Sequence, residues 1–151
     1  MAPTNILRDR NAKPAASKAP PRARKPRREI LIRAGSVAIR ARLLDTATAD
    51  RIWSTLPIYS TAETWGELVH LETRAETGRE PGAIWTVTPG QITFWAEQNR
   101  IVIGFGATPM SRPGEIRLPA PCNVWASALY DVAVLAAVRP GERVAILEAD
   151  S

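Results

Sequence analysis

Residues 29–44 alternate between apolar and polar side chains, which is the pattern of a β-strand with one buried face. Ala34-Gly35-Ser36 interrupts the alternation, and Gly35 can adopt the positive φ of a tight turn. The segment therefore predicts a β-hairpin. Its buried face would carry Ile30, Ile32, Val37, Ile39, Ala41 and Leu43.

The segment after the hairpin has the periodicity of an amphipathic helix. Its apolar positions follow the spacing of one helix face and are Ala49, Ile52, Trp53 and Leu56. Thr46 or Thr48 can cap the N-terminus, and Pro57 ends the helix because proline cannot continue it. A helix of about three turns is too short to build a bundle, so it would cover a sheet.

Short apolar runs between glycine, proline and asparagine turns follow Pro57 and are typical of strands. The predicted strands are Thr64–Leu71, Ile84–Val87, Gln91–Trp95, Ile101–Phe105, Asn123–Ser127 and Arg143–Leu147. Residues 126–137 fit a helix or a strand, and we favour a short helix at residues 130–136. Eight short strands with one or two short helices predict a mainly β fold, a closed or nearly closed barrel.

The position of Glu67 is unusual for an acid. In a regular strand over Thr64–Leu71, Glu67 shares the more apolar face with Trp65 and Val69. An acid there needs a partner, a raised pKa or an opening to a pocket. The alternatives are a bulge at Gly66 that turns Glu67 outward, or an ion pair with an arginine.

Two further strands suggest a binding surface. Gly104 and Gly106 leave one face of the strand over residues 101–105 without side chains, so a ligand or another chain can approach the backbone. Trp95 shares the mixed face of its strand with Thr93, where an indole with its donor often meets a ligand. No phosphate-binding loop follows, since the glycine spacing and the Gly-Lys-Ser/Thr ending are missing.

Charge divides the chain at Arg28. Residues 1–28 hold nine basic side chains and one acid, a net charge of +8, and no aromatic residue. The remainder holds eleven arginines and fourteen acids, a net charge of −3, and all five tryptophans. We therefore predict a disordered basic Pro/Ala-rich tail over residues 1–28 and one barrel domain over residues 29–151.

The tail has two interpretations. It is a basic arm that binds nucleic acid through residues 8–28 by neutralising phosphates, or a solvated extension, such as one from a start codon assigned too far upstream. Arginines interrupt the segment after Arg27-Arg28, so a secretory signal is not expected, and no window is apolar enough to span a membrane. We expect a cytoplasmic protein without membrane contact.

Several motifs in the domain occur in a recognisable order. They are Thr64-Trp65-Gly66-Glu67, then residues 89–95, then Phe105-Gly106-Ala107-Thr108-Pro109, then residues 119–124, with a last strand that begins at Pro140-Gly141. This order resembles the small prokaryotic cyclophilin-like proteins, a family of largely unassigned function. The resemblance covers residues 30–148 and leaves out the tail.

The resemblance implies an eight-stranded closed barrel with short capping helices and a cleft on the outer wall. Its cleft-lining positions would be Glu67, Trp95, Phe105, Thr108 and Asn123. The chain departs from the family pattern after Trp95, at Gly104 and at Trp125-Ala126, so the cleft can differ in shape from that of relatives.

The motifs of a true peptidyl-prolyl isomerase are missing. The resemblance implies an arginine in a Phe-His-Arg context and a Gly-Ser-Gln-Phe-Phe strand, and neither occurs here. Arg100 can face the cleft, but its place after the Asn99 turn favours a solvated charge. We therefore expect no appreciable isomerase activity, because weakening the X-Pro amide needs a positioned donor.

The sequence also lacks the residues for a metal site or a disulfide. One histidine and one cysteine exclude the usual zinc sites, and one cysteine excludes an internal disulfide. His70 is expected to be a strand-surface or packed histidine, and Cys122 a small buried thiol. We expect no metal and no cofactor.

Three functional hypotheses follow, in order. The first is a domain that binds a small molecule or a short peptide in a cleft near Glu67, Trp95 and Phe105. The second is a weak peptidyl-prolyl isomerase, and the third a nucleic-acid-associated protein that acts through the tail. A purely structural role in binding a partner stands close to the first. The ligand and the oligomeric state stay open.

Overall fold

The predicted hairpin opens the fold. A computed structural model describes residues 27–149, in which strands β1 (Glu29–Ala34) and β2 (Val37–Leu43) pair antiparallel, with Ile32 opposite Ile39. Gly35 turns the chain with a φ of +58°. The hairpin prediction is confirmed, because apolar alternation and a turn glycine specify the same register.

The predicted tail lies outside the described residues except for its last two. Arg28, counted with the tail above, packs on the domain: its Nη1 donates to Asp50 Oδ1 at 2.9 Å, and its guanidinium lies over the Trp53 ring. The nucleic-acid hypothesis concerns residues 8–28 and stays a prediction.

Helix α1 (Ala47–Thr55) follows the hairpin as predicted. Thr46 is the N-cap residue, and its Oγ1 accepts a hydrogen bond from Ala49 N at 3.0 Å. The helix ends before Pro57, and its inner face buries Ala49 and Ile52.

The other strands agree with the predicted positions, with differences in number and length. They are β3 (Ile58–Thr61), β4 (Glu63–Thr64), β5 (Leu68–Glu72), β6 (Ile84–Thr86), β7 (Gln91–Trp95), β8 (Arg100–Gly104), β9 (Arg117–Ala128) and β10 (Arg143–Glu148). Two 3₁₀ helices, Ala96–Gln98 and Val132–Ala137, complete the described residues, the second at the predicted short helix.

The described sheet has ten strands, so the predicted number of eight is wrong. The segment Thr64–Leu71 breaks into β4 and β5, and β3 is an additional strand of only four residues. Strand β9 also begins at Arg117 rather than Asn123. This part of β9 contains Pro119 and Pro121 and pairs irregularly with the short β6 alone, where the missing N–H donors are tolerated.

The sheet is antiparallel and nearly closed. Its order is β3–β10–β1–β2–β9–β7–β8–β5–β4, and β6 pairs with β9 beside this path. The two end strands, β3 and β4, are consecutive in the chain and are separated only by the buried Ala62. Strand β3 also packs against β5, which closes the gap between the two ends of the sheet. The mainly β, barrel-like fold is therefore confirmed.

Apolar side chains form one cluster on each side of the barrel wall. The inner cluster fills the barrel and includes Ile32, Ile52, Phe94, Ile103 and Trp125. The outer cluster contains Leu68, Val87, Val102, Ile116, Leu118 and Cys122, and it packs against Trp65, Ile84 and Trp95. The outer wall is thus partly a second core, and it positions the candidate site.

No helix in residues 27–149 is long and apolar enough to cross a membrane. The cytoplasmic location stays a prediction.

Candidate functional site

The turn Trp65-Gly66-Glu67 docks on residues 105–109 through four hydrogen bonds. The Glu67 carbonyl oxygen accepts from Phe105 N at 2.9 Å and Gly106 N at 3.1 Å, and Glu67 N donates to Ala107 O at 2.9 Å. The Glu67 Oε1 atom accepts from Ala107 N at 3.0 Å. We call this arrangement, residues 65–67 with 105–109, the clasp.

Two glycines make the clasp possible. Gly66 has a φ of +62°, and a Cβ there would lie 2.9 Å from both Ala107 O and Thr108 Cα. At Gly106 a Cβ would lie 2.0 Å from Glu67 Oε1. A side chain at Gly66 would force the two segments apart because it meets backbone atoms, whereas a side chain at Gly106 would displace the Glu67 carboxylate from Ala107 N.

Glu67 is therefore not a pocket acid on a regular strand. The strand breaks at Gly66, and the exposed Glu67 side chain closes the clasp. Strand alternation placed Glu67 on the wrong face because the positive φ of Gly66 interrupts the in-and-out order of the side chains. This agrees with the alternative in which a bulge at Gly66 turns Glu67 outward.

The glycines do not leave open backbone for a ligand. A Cβ at Gly104 would lie 2.5 Å from Ile116 Cγ2, so a side chain of the same chain fills that space. The Glu67 carboxylate fills the space at Gly106. The groups that approach these two glycines are therefore side chains of the same domain, not a ligand or another chain.

An apolar cleft lies on the outer wall beside the clasp. Its volume is about 270 Å³, and it is lined by Trp65, Leu68, His70, Trp95 and Pro119. Leu68 and His70 share a face of β5 because they are two residues apart. The hydrogen bond from Trp65 N to Leu68 O, at 2.9 Å, holds the Trp65 backbone at the mouth of the clasp.

A charged network borders the cleft. Arg100 Nη1 donates to Glu63 Oε2 at 3.0 Å and lies 3.3 Å from His70 Nδ1. Arg100 also faces Trp95 across the ladder between β7 and β8. It was expected to be a solvated charge after the Asn99 turn, but its side chain is only 21% exposed and is engaged by Glu63 and His70, so that expectation is wrong.

Burial lowers the pKa of His70 below its ordinary value of 6.5; the Arg100 charge acts in the same direction, and Glu63 opposes both. The neutral ring can then accept a hydrogen bond from Arg100 at Nδ1. The unfolded chain protonates this histidine at about pH 6.5, so it binds more protons than the folded chain just below that pH.

We therefore expect the free energy of unfolding to fall as the pH falls from about 6.5 toward the folded pKa. Urea unfolding at pH 7.5 and 5.5 measures this, because the carboxylates stay largely ionised in that interval. His70→Gln should reduce the difference between the two pH values. A His70→Gln variant with the full pH dependence of the wild type would show that the loss arises elsewhere.

Cys122 lies beneath the cleft in the outer cluster. Burial raises the pKa of its thiol to about 12, and its Sγ donates to Ala120 O at 3.3 Å. A thiol with this pKa is not a nucleophile at neutral pH, which agrees with the predicted small buried cysteine. Within residues 27–149 no three histidine, cysteine or acidic side chains converge on a common point.

The comparisons with known proteins agree with this geometry. Residues 28–147 match the family described as cyclophilin-like. The chain belongs to the cyclophilin-like family. Its fold is similar to the solution structure of a hypothetical protein from Archaeoglobus fulgidus, with a TM-score of 0.72, 27% identity, and coverage of 84% of this chain and 98% of that one. A search of curated proteins found no match.

In this cyclophilin-like barrel, Trp95 is the predicted site residue that lines the outer cleft. Glu67 closes the neighbouring clasp, and Phe105 packs against the inner cluster, on the opposite side of the wall. Thr108 is buried in its own loop, where its Oγ1 donates to Arg117 O at 2.6 Å. Glu67, Phe105 and Thr108 therefore do not line the cleft together with Trp95.

Asn123 lies on the inner side of the wall and is 1% exposed. Its Nδ2 donates to Thr48 Oγ1 and to Gly78 O, both at 2.9 Å, and its Oδ1 accepts from Glu80 N at 2.8 Å. The Glu80 carboxylate in turn accepts from Thr48 N at 3.0 Å and from the Thr48 hydroxyl. Asn123 thus fastens the loop before β6 to the start of α1.

Sequence reasoning missed four of the five cleft residues as site residues. The alternation of β5 placed Leu68 and His70 on one face, which was the available signal, but attention to Glu67 favoured the other face. Trp65 is placed at the cleft by the clasp, and Pro119 by the irregular part of β9. No local sequence pattern predicts either position.

Proposed function

We propose that this member of the cyclophilin-like family binds an apolar group, either a peptide side chain or a ring of a small molecule, in the outer cleft. The observation that carries the proposal is the placing of two half-buried indoles and a proline around an open apolar space. Exposed tryptophan is costly in water, and tryptophan is enriched among residues that dominate binding energy.

The dimensions of the cleft limit its occupant. At about 270 Å³ it lies just below the usual range of ligand-binding pockets and has room for one aromatic ring or one apolar side chain. The lining is almost wholly apolar, so binding would rest on apolar contact with the rings of Trp65 and Trp95. The rest of a bound peptide would lie across the wall near the Arg100–Glu63 pair.

The proposal is tested by calorimetry with two probes, the peptide Ala-Ala-Pro-Phe and phenol. We expect Trp95→Ala to weaken binding about 30-fold or more, because truncating a central tryptophan typically costs 2 kcal/mol or more. Trp85→Ala is the matched control, since Trp85 is 45% exposed on β6 and does not line the cleft.

Each probe has a distinct meaning in this experiment. Binding of phenol alone indicates a small-molecule site, and tighter binding of the peptide indicates a peptide site. The proposal fails if neither probe saturates, or if Trp85→Ala weakens binding as much as Trp95→Ala.

A weak peptidyl-prolyl isomerase is the second candidate, because the Arg100 guanidinium borders the cleft on the face of Trp95. An isomerase needs a donor near the proline nitrogen, whereas Arg100 Nη1 is already engaged by Glu63 and His70. We therefore expect the cis/trans rate of an Ala-Pro peptide to equal the uncatalysed rate. Acceleration that disappears in Arg100→Ala would establish the isomerase instead.

A further inference from the structure

A second surface, on the outer face of β1, β10 and β3, lies apart from the cleft. It is a shallow groove of about 720 Å³ whose walls include Arg33, Tyr59, Thr61 and Arg143, with Ala145 between them. We propose that this groove binds a small organic phosphate, whose phosphate the two arginines hold and whose apolar part lies against Tyr59.

The strand register explains why these side chains converge. Ala145 lies opposite Arg33 on β1 and opposite Tyr59 on β3, so the three residues form one row across the strands. Arg33 and Tyr59 are then about 10 Å apart at their backbones, with only the Ala145 methyl group between them. The small central side chain leaves the space that the flanking side chains enclose.

Arg143 supplies the second guanidinium. It lies two residues before Ala145, so it shares the same face about 7 Å along the strand, and Thr61 is opposite to it. On its other side the chain turns at Gly35, whose N donates to Arg143 O at 3.1 Å. Both arginine side chains are long enough to reach one group above Ala145.

Among residues 27–149, no acid serves as a counterion for the charges of this groove. On the neighbouring strand, Arg40 and Arg42 pair with Glu29 at 3.1 and 3.2 Å. Arg33 and Arg143 make no ion pair with any described residue. The nearest acid in sequence, Glu142, has its carboxylate against Gly35 and accepts from Arg139 N at 2.8 Å.

Two unpaired guanidiniums favour a doubly charged tetrahedral oxyanion, because each can donate two N–H groups to a phosphate. Tyr59 is 72% exposed, and its ring offers an apolar face beside that position. An inorganic ion would use the arginines alone, whereas an organic phosphate would use the tyrosine also. This difference makes the ligand class testable.

The test is a titration of the full-length protein with phenyl phosphate, inorganic phosphate and phenol, followed through backbone amide resonances. We expect phenyl phosphate to shift residues 59–61 and 141–145 saturably. Arg33→Gln and Arg143→Gln should each weaken its binding about tenfold or more, the effect of losing one charged hydrogen bond. Tyr59→Ala should weaken phenyl phosphate and leave inorganic phosphate unchanged.

Arg51→Gln on α1 is the matched control, because Arg51 is an exposed arginine that does not line the groove. An equal loss in Arg51→Gln would reduce the effect to general charge and overturn the proposal. Shifts with phenol as large as those with phenyl phosphate, no saturation with phenyl phosphate, or shifts produced only by a single-stranded oligonucleotide would also overturn it.

Discussion

Replacing Gly66 by alanine is expected to lower the free energy of unfolding by about 2–4 kcal/mol. Two costs combine. Alanine is strained at the φ of +62°, and its Cβ would meet Ala107 O and Thr108 Cα at 2.9 Å, which are backbone atoms and cannot rotate away. The clasp would open, so the Trp65 wall of the cleft would be lost with it.

Gly114→Ala separates the two costs. Gly114 has a φ of +80° with no atom within 4 Å of a Cβ, so alanine there is strained but not crowded. We expect a loss of about 1 kcal/mol for this control. Urea unfolding of both variants measures the difference, and equal losses would show that the contact between the two motifs contributes nothing to stability.

Replacing Asn123 by alanine is expected to cost about 3 kcal/mol, the second large effect. The substitution leaves Glu80 N, Gly78 O and the Thr48 hydroxyl without the amide that now satisfies them. Because Asn123 is 1% exposed and fully engaged, its loss should act through folding rather than through a ligand. Chemical denaturation and amide exchange in residues 73–83 measure this effect.

A double-mutant cycle with Thr48→Ala tests the network itself. The two side chains share a hydrogen bond, and both contact Glu80, so their losses should not add and should differ from additivity by about 1 kcal/mol. Additive losses would mean that the two hydrogen bonds act independently. A stable Asn123→Ala variant that has lost only ligand binding would restore the role first predicted for this residue.

The elements that the sequence predicted well are those whose signals are local. The hairpin at Gly35 and the helix after Thr46 follow from alternation, periodicity and capping within a few residues. Strand β3 escaped prediction because Tyr-Ser-Thr after Ile58 shows no apolar alternation. It is held as a strand by pairing with β10, which is more than eighty residues away in the chain.

The candidate site was harder to predict because non-local contacts build it. Glu67 was selected as an acid on an apolar face, but its partner is an amide forty residues away, which no spacing reveals. Asn123 was placed in the cleft by resemblance, whereas its hydrogen bonds reach Thr48 on the inner side. Trp95 lies in the cleft lining, on a face that strand alternation alone decides, and its role in binding stays a prediction.

Two of the motifs on which the family resemblance is based therefore have a structural explanation. Trp-Gly-Glu and Phe-Gly-Ala-Thr-Pro are the two halves of the clasp, and each glycine exists for the other half. Their joint effect is to hold Trp65 above Leu68 as one wall of the apolar cleft. Binding in the cleft is thus expected to depend on clasp residues that do not themselves touch the ligand.

The five tryptophans allow the most direct test of cleft binding, because each indole N–H gives its own NMR signal. Trp65 and Trp95 line the cleft, whereas Trp53 lies beneath Arg28, Trp85 is exposed on β6 and Trp125 is buried in the barrel. During titration with phenol or Ala-Ala-Pro-Phe, the indole signals of Trp65 and Trp95 should shift together and saturate, and the other three should not move. Shifts confined to Trp53, Trp85 or Trp125, or no shift at all, would contradict binding in the outer cleft.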